Sequence, residues 1–459
     1  MGGLDRQALA ARAEELAAEL AVHGVELIAM TFVDNSGVVR TKAVPLRRLA
    51  AAAAWGVGAS NSFDFFAFND EIVPGAHSQG PVGDLRLHLD LDRLTVLAAQ
   101  PGWAWAPADR YDQDGEVHPL DQRGVAKRAA RELAERGLTA KLAFEIEWMV
   151  TAETTPDDQN SAVLGPAYGY ARLSQHADYL RTLASTLDNQ GVRVEQIHPE
   201  YAAGQFELSV APDGPVHAAD TAVLVRETIR TVSRQHGLRA TFTPKFSAQG
   251  VGNGGHVHLS LWQEGENVFA GGDGRFGLTG VAESFSGGVL ARLPGLLAIG
   301  APSVVSYLRL EPHHWVGVYT AWGLENREAP LRLVTGAPEE RSRAANLEVK
   351  CFDQTANPYL VVAGLLFAGL AGLDEETSLP EPVDVDPGSL SEEDRQRLGI
   401  ARLPVTLADA VAAFEADPVL TGSFGAPLAT TLMDVRRGEI GIFEGKTPEE
   451  ITEAMRWVY

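Results

Sequence analysis

The amino-acid sequence predicts an α+β protein in two parts: a small N-terminal unit of helices and short strands, then a larger unit whose antiparallel sheet is backed by helices. Three observations predict it. The chain has 459 residues, 45% hydrophobic and 22% charged, which is ample for a packed core in more than one domain. A helix, a hairpin and several short strands precede a break from Pro107 to Gly115. Beyond that break, long helical stretches alternate with strand pairs, and strands paired between helices favour an antiparallel sheet.

In order, Asp5 is placed to cap a helix that runs to Val22 and stops at Gly24, followed by a strand over Val25 to Val33. Asn35-Ser36-Gly37 is a turn signal before a second strand, Val38 to Val44, and a helix from Arg47 to Trp55 follows. Short strands are expected near Leu85 to Leu91, Leu94 to Ala98 and Trp103 to Ala106. The larger unit shows helices over Asp121 to Gly137, Gln175 to Gly191 and His217 to Gly237, with strands near 140–150, 193–199, 204–210 and 255–263. The final third is helical at Asn357 to Leu373, Leu407 to Ala416 and Pro448 to Val458, around a Pro/Asp-rich loop from Leu379 to Gly388.

The 61 Asp and Glu against 38 Lys and Arg leave a net charge of -23, which argues against a nucleic-acid partner and suits cations. Cys351 is the single cysteine, so neither a disulfide framework nor a thiolate zinc cluster is available within the chain. A reducing, cytoplasmic setting is expected. The longest uncharged apolar run, Tyr359 to Leu373, falls short of the roughly 20 residues of a membrane span and reads as a buried helix. The N-terminus lacks the pattern of a signal peptide.

Chemistry concentrates in five segments. Phe144-Glu145-Ile146-Glu147-Trp148 puts two acids at i and i+2 of an apolar strand, on one face, where their repulsion calls for a cation. Glu200 and Glu207 bracket a turn of small residues that can return one beside the other. Gly252-Asn253-Gly254-Gly255 opens a strand on which His256, His258, Ser260 and Trp262 share a face, costly unless something polar occupies it. Arg309, Arg327 and Arg332 lie amid apolar sequence, where an anion is the natural partner. Glu348 completes the set in Leu347-Glu348-Val349-Lys350.

Together, F-E-I-E-W, H-P-E-Y-A-A-G-Q-F-E, G-N-G-G-H-V-H-L-S-L-W, N-R-E-A-P-L-R and L-E-V-K-C-F-D-Q-T-A-N-P-Y resemble, in order and over essentially the whole chain, the motifs of class I glutamine synthetases. The resemblance implies a β-grasp domain over residues 1–107, a glutamine synthetase catalytic domain over 108–459, and a homododecamer of two stacked rings with active sites between subunits. It implies ATP and Mg2+ (or Mn2+) as cofactors. By matched position, Glu147, Glu200 and Glu207 are expected to hold one divalent ion and Glu145, His256 and Glu348 the other. His258, Ser260, Trp262 and Arg332 are expected to meet ATP, Arg327 the transferring phosphoryl group, and Arg309, Gly252 and Lys350 the glutamate end. The implied reaction activates a carboxylate as an acyl phosphate, which a neutral amine attacks to form an amide.

The departures bear on the amine. The family's ammonia site uses an Asp in an F-D-G-S-S motif and a Glu on a flap; Ser60 and Trp315 stand in their places, with Asp64, Glu311 and His314 nearby. Ammonium wants anionic ligands and a base, whereas a Ser and a Trp suit an amine that carries carbon. The sequence therefore points to a γ-glutamylamide ligase whose amine pocket is read at Ser60, Tyr170 and Trp315, and favours a small monoamine such as ethanolamine. A polyamine would want acids at the pocket mouth, for which Asp64, Asp70 and Glu71 are candidates. True glutamine synthesis, with Asp64 or Glu311 replacing the missing acids, and a catalytically silent amine sensor are the competing readings. Ala401 stands where many bacterial members carry a modifiable Tyr, so control by adenylylation is not expected.

Overall fold

The computed structural model describes residues 4–78, 80, 82–158 and 163–459. The N-terminal sheet runs in the order Val39–Pro45, Leu27–Val33, Trp103–Tyr111, Asp84–Leu89, Val57–Ser60, with Thr95–Val96 paired to Trp103–Tyr111. Leu27–Val33 lies antiparallel to its hairpin partner and parallel to Trp103–Tyr111. Asp5 accepts from the Ala8 amide and caps the helix Arg6–Val22, which packs with Leu49–Trp55 against this sheet over Ile28, Met30, Leu87 and Ala104. The strand at Trp103 continues through Pro107 to Tyr111, so the sheet passes the break expected there. Proline is tolerated because pairing is handed over at this point: the ladder to Leu27–Val33 ends at Pro107, and that to Asp84–Leu89 begins at Ala108.

The larger sheet follows the order Trp322–Leu324, Leu331–Val334, Asn346–Val349, Val257–Gln263, Leu138–Ala152, Gln205–Val210, Val194–Pro199. It is antiparallel as expected except for the parallel outer pair Trp322–Leu324 and Leu331–Val334. Its long central strand, Leu138–Ala152, alternates buried residues (Leu142, Phe144, Ile146, Trp148) toward the helices with Glu145 and Glu147 on the opposite face. The helices Gln122–Ala134, Ala177–Asn189, Pro215–Gln235 and Pro358–Asp374 cover the apolar face. A helix over Gly280–Gly300 has no counterpart in the sequence reading, since Gly287, Gly288 and Pro294 interrupt its pattern. The glycines serve a close crossing: a Cβ on Gly288 would lie 2.3 Å from the Ala368 carbonyl oxygen and 2.5 Å from the Gly372 Cα.

The two sheets meet at the hairpin turn Asp34-Asn35-Ser36-Gly37, which is buried. Asn357 donates to the carbonyls of Val33 and Asp34, Arg436 to that of Asn35 at 2.6 Å, and the Tyr459 hydroxyl to that of Ser36 at 2.7 Å. Gly37, at φ +80°, rests so closely on residue 355 that a Cβ would stand 1.9 Å from the Thr355 carbonyl oxygen. A buried ion network adds to the join. Arg123 pairs with Asp90 and Asp109 of the N-terminal sheet region and with Asp220 of the helix behind the larger one. No helix among the described residues is long and apolar enough to cross a membrane.

Candidate active site

The polar face of the larger sheet floors a cleft of about 430 Å³. Strand register assembles it. Glu147 lies directly opposite Glu207, and Glu207 opposite His198. On the other side of the central strand His258 lies opposite Glu348, and Glu348 opposite Arg332. Because side chains alternate, Glu145 and Glu147 project beside one another, and the Gly252–Gly255 loop brings His256 over them.

All six expected metal ligands converge. His256 Nδ1 is 2.9 Å from Glu145 and 3.4 Å from Glu348, and its Nε2 is 3.8 Å from Glu147. Three groups offer ligand atoms within 4.8 Å of one another: Glu145, Glu147 and His256; Glu145, His258 and Glu348; His198, Glu200 and Glu207. His198, absent from the sequence-based set, sits 3.2 Å from Glu207 and 3.6 Å from Glu200. Its signal was available: it precedes Glu200 by two residues on a strand.

The charges in the floor are unevenly compensated. Burial opposes ionisation of Glu145, but hydrogen bonds from His256 and His258 hold its carboxyl well below the usual range. Glu348 is likewise buried, yet Lys350 and the two histidines bring it down to about 2. Glu207 goes the other way: burial, and the carboxylates of Glu145, Glu147 and Glu200 beside it, push it up to about 8. The hydrogen bond to Glu207 raises His198 to about 9. Buried oxygens that repel one another and take up protons for want of positive charge form a donor set suited to hard divalent cations.

The other expected residues divide between the cleft and its surroundings. Arg309, buried, donates to the carbonyls of Phe352 at 3.1 Å and Lys350 at 3.2 Å, and Gly252 packs on it so tightly that a Cβ would fall 2.6 Å from Arg309 Cγ. Lys350 lines the cleft but spends its ammonium on Glu348 at 2.9 Å. His258, Ser260, Trp262 and Arg332 form a row beside the cluster: Trp262 donates to Ser260 at 3.0 Å, and Arg332 to Glu348 at 2.9 Å. Arg327 is exposed at the cleft, as is Trp315, 54% accessible at φ +56°.

Five expectations shift. Tyr170 opens a short helix and is 80% exposed away from the cleft; Tyr168 lines it instead, hydrogen-bonded to Glu200. Asp64 is fully buried and committed to Arg110 at 2.7 Å and His118 at 3.1 Å, so it has no free charge for an amine. Asp70 pairs with Arg40 at 2.7 Å. Glu311 is exposed outside the cleft lining, and Ser60 sits in the N-terminal sheet, where it caps the turn Asn61–Phe65. Gln205, which the sequence reading passed over, is a hub: its amide donates toward Glu147 Oε2 at 3.0 Å, the Gly252 carbonyl at 2.9 Å and Asn253 Oδ1 at 3.0 Å, while its own oxygen accepts from Ala202.

Residues 119–454 match the family model described as "Glutamine synthetase, catalytic domain". The chain is 52% identical over 450 residues to a γ-glutamylpolyamine synthetase of Streptomyces coelicolor, covering 98% of this chain and 97% of that one. It is 30% identical to a glutamine synthetase of Halobacterium salinarum over 95% of this chain and 94% of the relative. Among solved structures, a glutamine synthase homologue superposes with a TM-score of 0.85 at 30% identity, covering 95% of this chain and 99% of the other. A complex of GmaS with ADP does so with a TM-score of 0.82 at 30% identity, over 94% and 97%. The match carries past the motifs to the whole architecture, and the chain belongs to the glutamine synthetase family of ATP-dependent ligases.

Proposed function

We propose that the protein is a γ-glutamylpolyamine synthetase, which joins the γ-carboxylate of glutamate to a terminal amine of a polyamine at the expense of ATP. The 52% identity to a γ-glutamylpolyamine synthetase carries the choice of amine, although two of the acids the sequence offered a polyamine, Asp64 and Asp70, are paired with arginines; the cleft lining supports only a carbon-bearing amine. Every carboxylate lining the cleft (Glu145, Glu147, Glu200, Glu207) belongs to the metal-type cluster, and the remaining wall includes Tyr168, Tyr201, Trp315 and Val316. Aromatic faces receive a cationic carbon chain by cation–π and apolar contact, and offer little to bare ammonium. The sequence favoured ethanolamine on the loss of acid alone. That preference finds no support beyond it, and the 52% identical polyamine synthetase makes the longer amine the better fit. With Asp64 neutralised by Arg110 and His118, and Glu311 outside the cleft, the ammonia alternative loses both of its substitute acids.

In this reading, drawn from the family motifs, Glu147, Glu200 and Glu207 hold one divalent ion and Glu145, His256 and Glu348 the other; His198, grouped with Glu200 and Glu207, backs the first, and His258, grouped with Glu145 and Glu348, the second. Two bound Mg2+ or Mn2+ ions would neutralise the ATP phosphates. His258, Ser260, Trp262 and Arg332 receive the nucleotide, Arg309 and the Gly252 backbone orient glutamate, and Arg327 offsets charge on the phosphoryl group as the γ-carboxylate takes it from ATP. The neutral amine then attacks the acyl carbon of γ-glutamyl phosphate, phosphate departs, and the amine nitrogen sheds a proton as the amide forms. A β-grasp unit, drawn over residues 1–107 from the sequence but extended by its last strand to Tyr111, a catalytic unit after it and a cytoplasmic dodecamer complete the proposal, the ring bringing Ser60 to a neighbour's site.

The test is glutamate- and ATP-dependent phosphate release across ammonium, ethanolamine, alkylamines, putrescine and spermidine, with the amide identified by mass spectrometry. Putrescine or spermidine is expected to give the highest kcat/KM. Ammonium as best substrate would overturn the reading, ethanolamine would return it to monoamines, and no amide with any amine would leave a silent relative.

A further inference from the structure

The cleft wall that carries Trp315 is held in an unusual shape. His313 and Trp315, two residues apart, both adopt left-handed backbone, at φ +65° and +56°, a conformation that bulky side chains keep only when their surroundings enforce it. Two carboxylates do the enforcing. Glu328 accepts the Trp315 amide at 2.9 Å. From the other side Asp386 reaches His313: its Oδ2 meets His313 Nδ1 at 2.5 Å, while its Oδ1 accepts the Gly388 amide at 2.7 Å, which fixes the carboxylate plane. Gly388 eases the approach, because a Cβ there would lie a tight 3.0 Å from the His313 ring.

Asp386 is itself anchored. It belongs to the Pro/Asp-rich loop, whose Val383 and Val385 carbonyls accept from the Asn326 side chain at 2.8 and 2.9 Å and whose Pro380 carbonyl accepts from the Trp322 indole at 2.8 Å. The loop is thereby clamped to the strand Trp322–Leu324 and to the residue before Arg327, and it projects one charged hydrogen bond back over the cleft wall.

We infer that Asp386, through His313, and Glu328, through the Trp315 backbone, are positioning residues that hold the Trp315 indole as a fixed wall at the amine end of the cleft. The wall seats the amine and keeps water from the acyl phosphate. This rests on the proposed amide-forming reaction at the same site. Loss of the Asp386 bond frees a segment whose preferred backbone lies elsewhere, so amine binding weakens and activated glutamate is spent on water: water attacks the acyl carbon, phosphate leaves, and free glutamate returns with no amide made.

The experiment compares wild type, Asp386→Ala, Asp386→Asn and Glu328→Gln as full-length protein, recording KM for the best amine, KM for glutamate, and the ratio of phosphate released to amide formed. Asp386→Ala is expected to raise the amine KM about tenfold, the loss of one charge-assisted hydrogen bond, and to raise the phosphate-to-amide ratio, with the glutamate KM unchanged. Asp386→Asn keeps an acceptor for His313 and should recover most of both effects. Unchanged amine KM and coupling in a folded Asp386→Ala protein would overturn the inference, as would equal losses in Asp386→Ala and Asp386→Asn. The two proposals separate: a wild type that prefers an amine other than a polyamine defeats the substrate assignment alone, since the hold on Trp315 is read with whichever amine is best.

Discussion

Replacing Gln205 by Leu tests whether the carboxylate cluster is held ready for metal by the protein around it. The side chain is 1% exposed, and its amide group serves Glu147, the Gly252 carbonyl, Asn253 and the Ala202 amide at once. Leucine fills a similar volume without hydrogen bonds. Glu147 keeps the Gly254 amide at 2.8 Å, but the Ala202 N–H and at least one oxygen lose their partner, each costing ~1–3 kcal/mol when buried. A folded protein with a lower thermal midpoint is therefore expected. Glu147 and the glycine loop are then joined only through the Gly254 amide, and the loss of an outer partner such as Gln205 typically lowers metal affinity about 10–100-fold. Calorimetric titration with Mn2+ measures it, and amide formation against Mn2+ concentration should shift by the same factor. Wild-type Mn2+ affinity in a folded Gln205→Leu protein would refute the reasoning.

Three further outcomes follow from the geometry. Glu207, raised to about 8, must give up its proton before it binds a cation, so metal affinity should climb as pH rises toward 8 and level off above it, with proton release seen in buffers of different ionisation enthalpy; pH-independent binding would contradict this. Without metal the sign reverses for stability: a carboxyl raised in the folded state favours folding while protonated and loses that contribution as pH rises from its unfolded value, 4.5, through about 8, so the metal-free midpoint should gain from acidification within that window. Gly37→Ala forces a Cβ to within 1.9 Å of the Thr355 carbonyl oxygen at φ +80°, so the hairpin turn must lift from residues 353–357; a loss of more than ~2 kcal/mol is expected in thermal unfolding, and an unchanged midpoint would mean the turn is not docked there.

Most of the site was legible because it rests on local geometry. A strand turns its side chains over every two residues wherever it sits, so Glu145 with Glu147, and His256 through Trp262 with their alternate neighbours, share a face by chain pitch alone. Capping is equally local, and Asp5, Asp121 and Asn357 cap their helices as the residues imply. His198 and Gln205 obeyed the same two-residue rule relative to Glu200 and Glu207 and were open to the same inference.

What pitch cannot supply is which strands lie together and what a side chain meets across the fold. Only the tertiary structure sets Glu147 opposite Glu207 and His258 opposite Glu348, because register follows from packing between segments distant in sequence. It alone decides that Tyr168 faces the cleft and Tyr170 solvent, since residues 165–169 form a loop with no period to read ahead of the short helix that Tyr170 opens. It turns Asp64 from a candidate amine ligand into half of a buried ion pair, and it joins His313 to Asp386 across 73 positions. An ionisable side chain's role depends on the charge beside it, and that neighbour is chosen by the fold. By itself the sequence determined the family and nominated the ligand residues and the departures at Ser60 and Trp315; the fold decided which remaining charges are free to act.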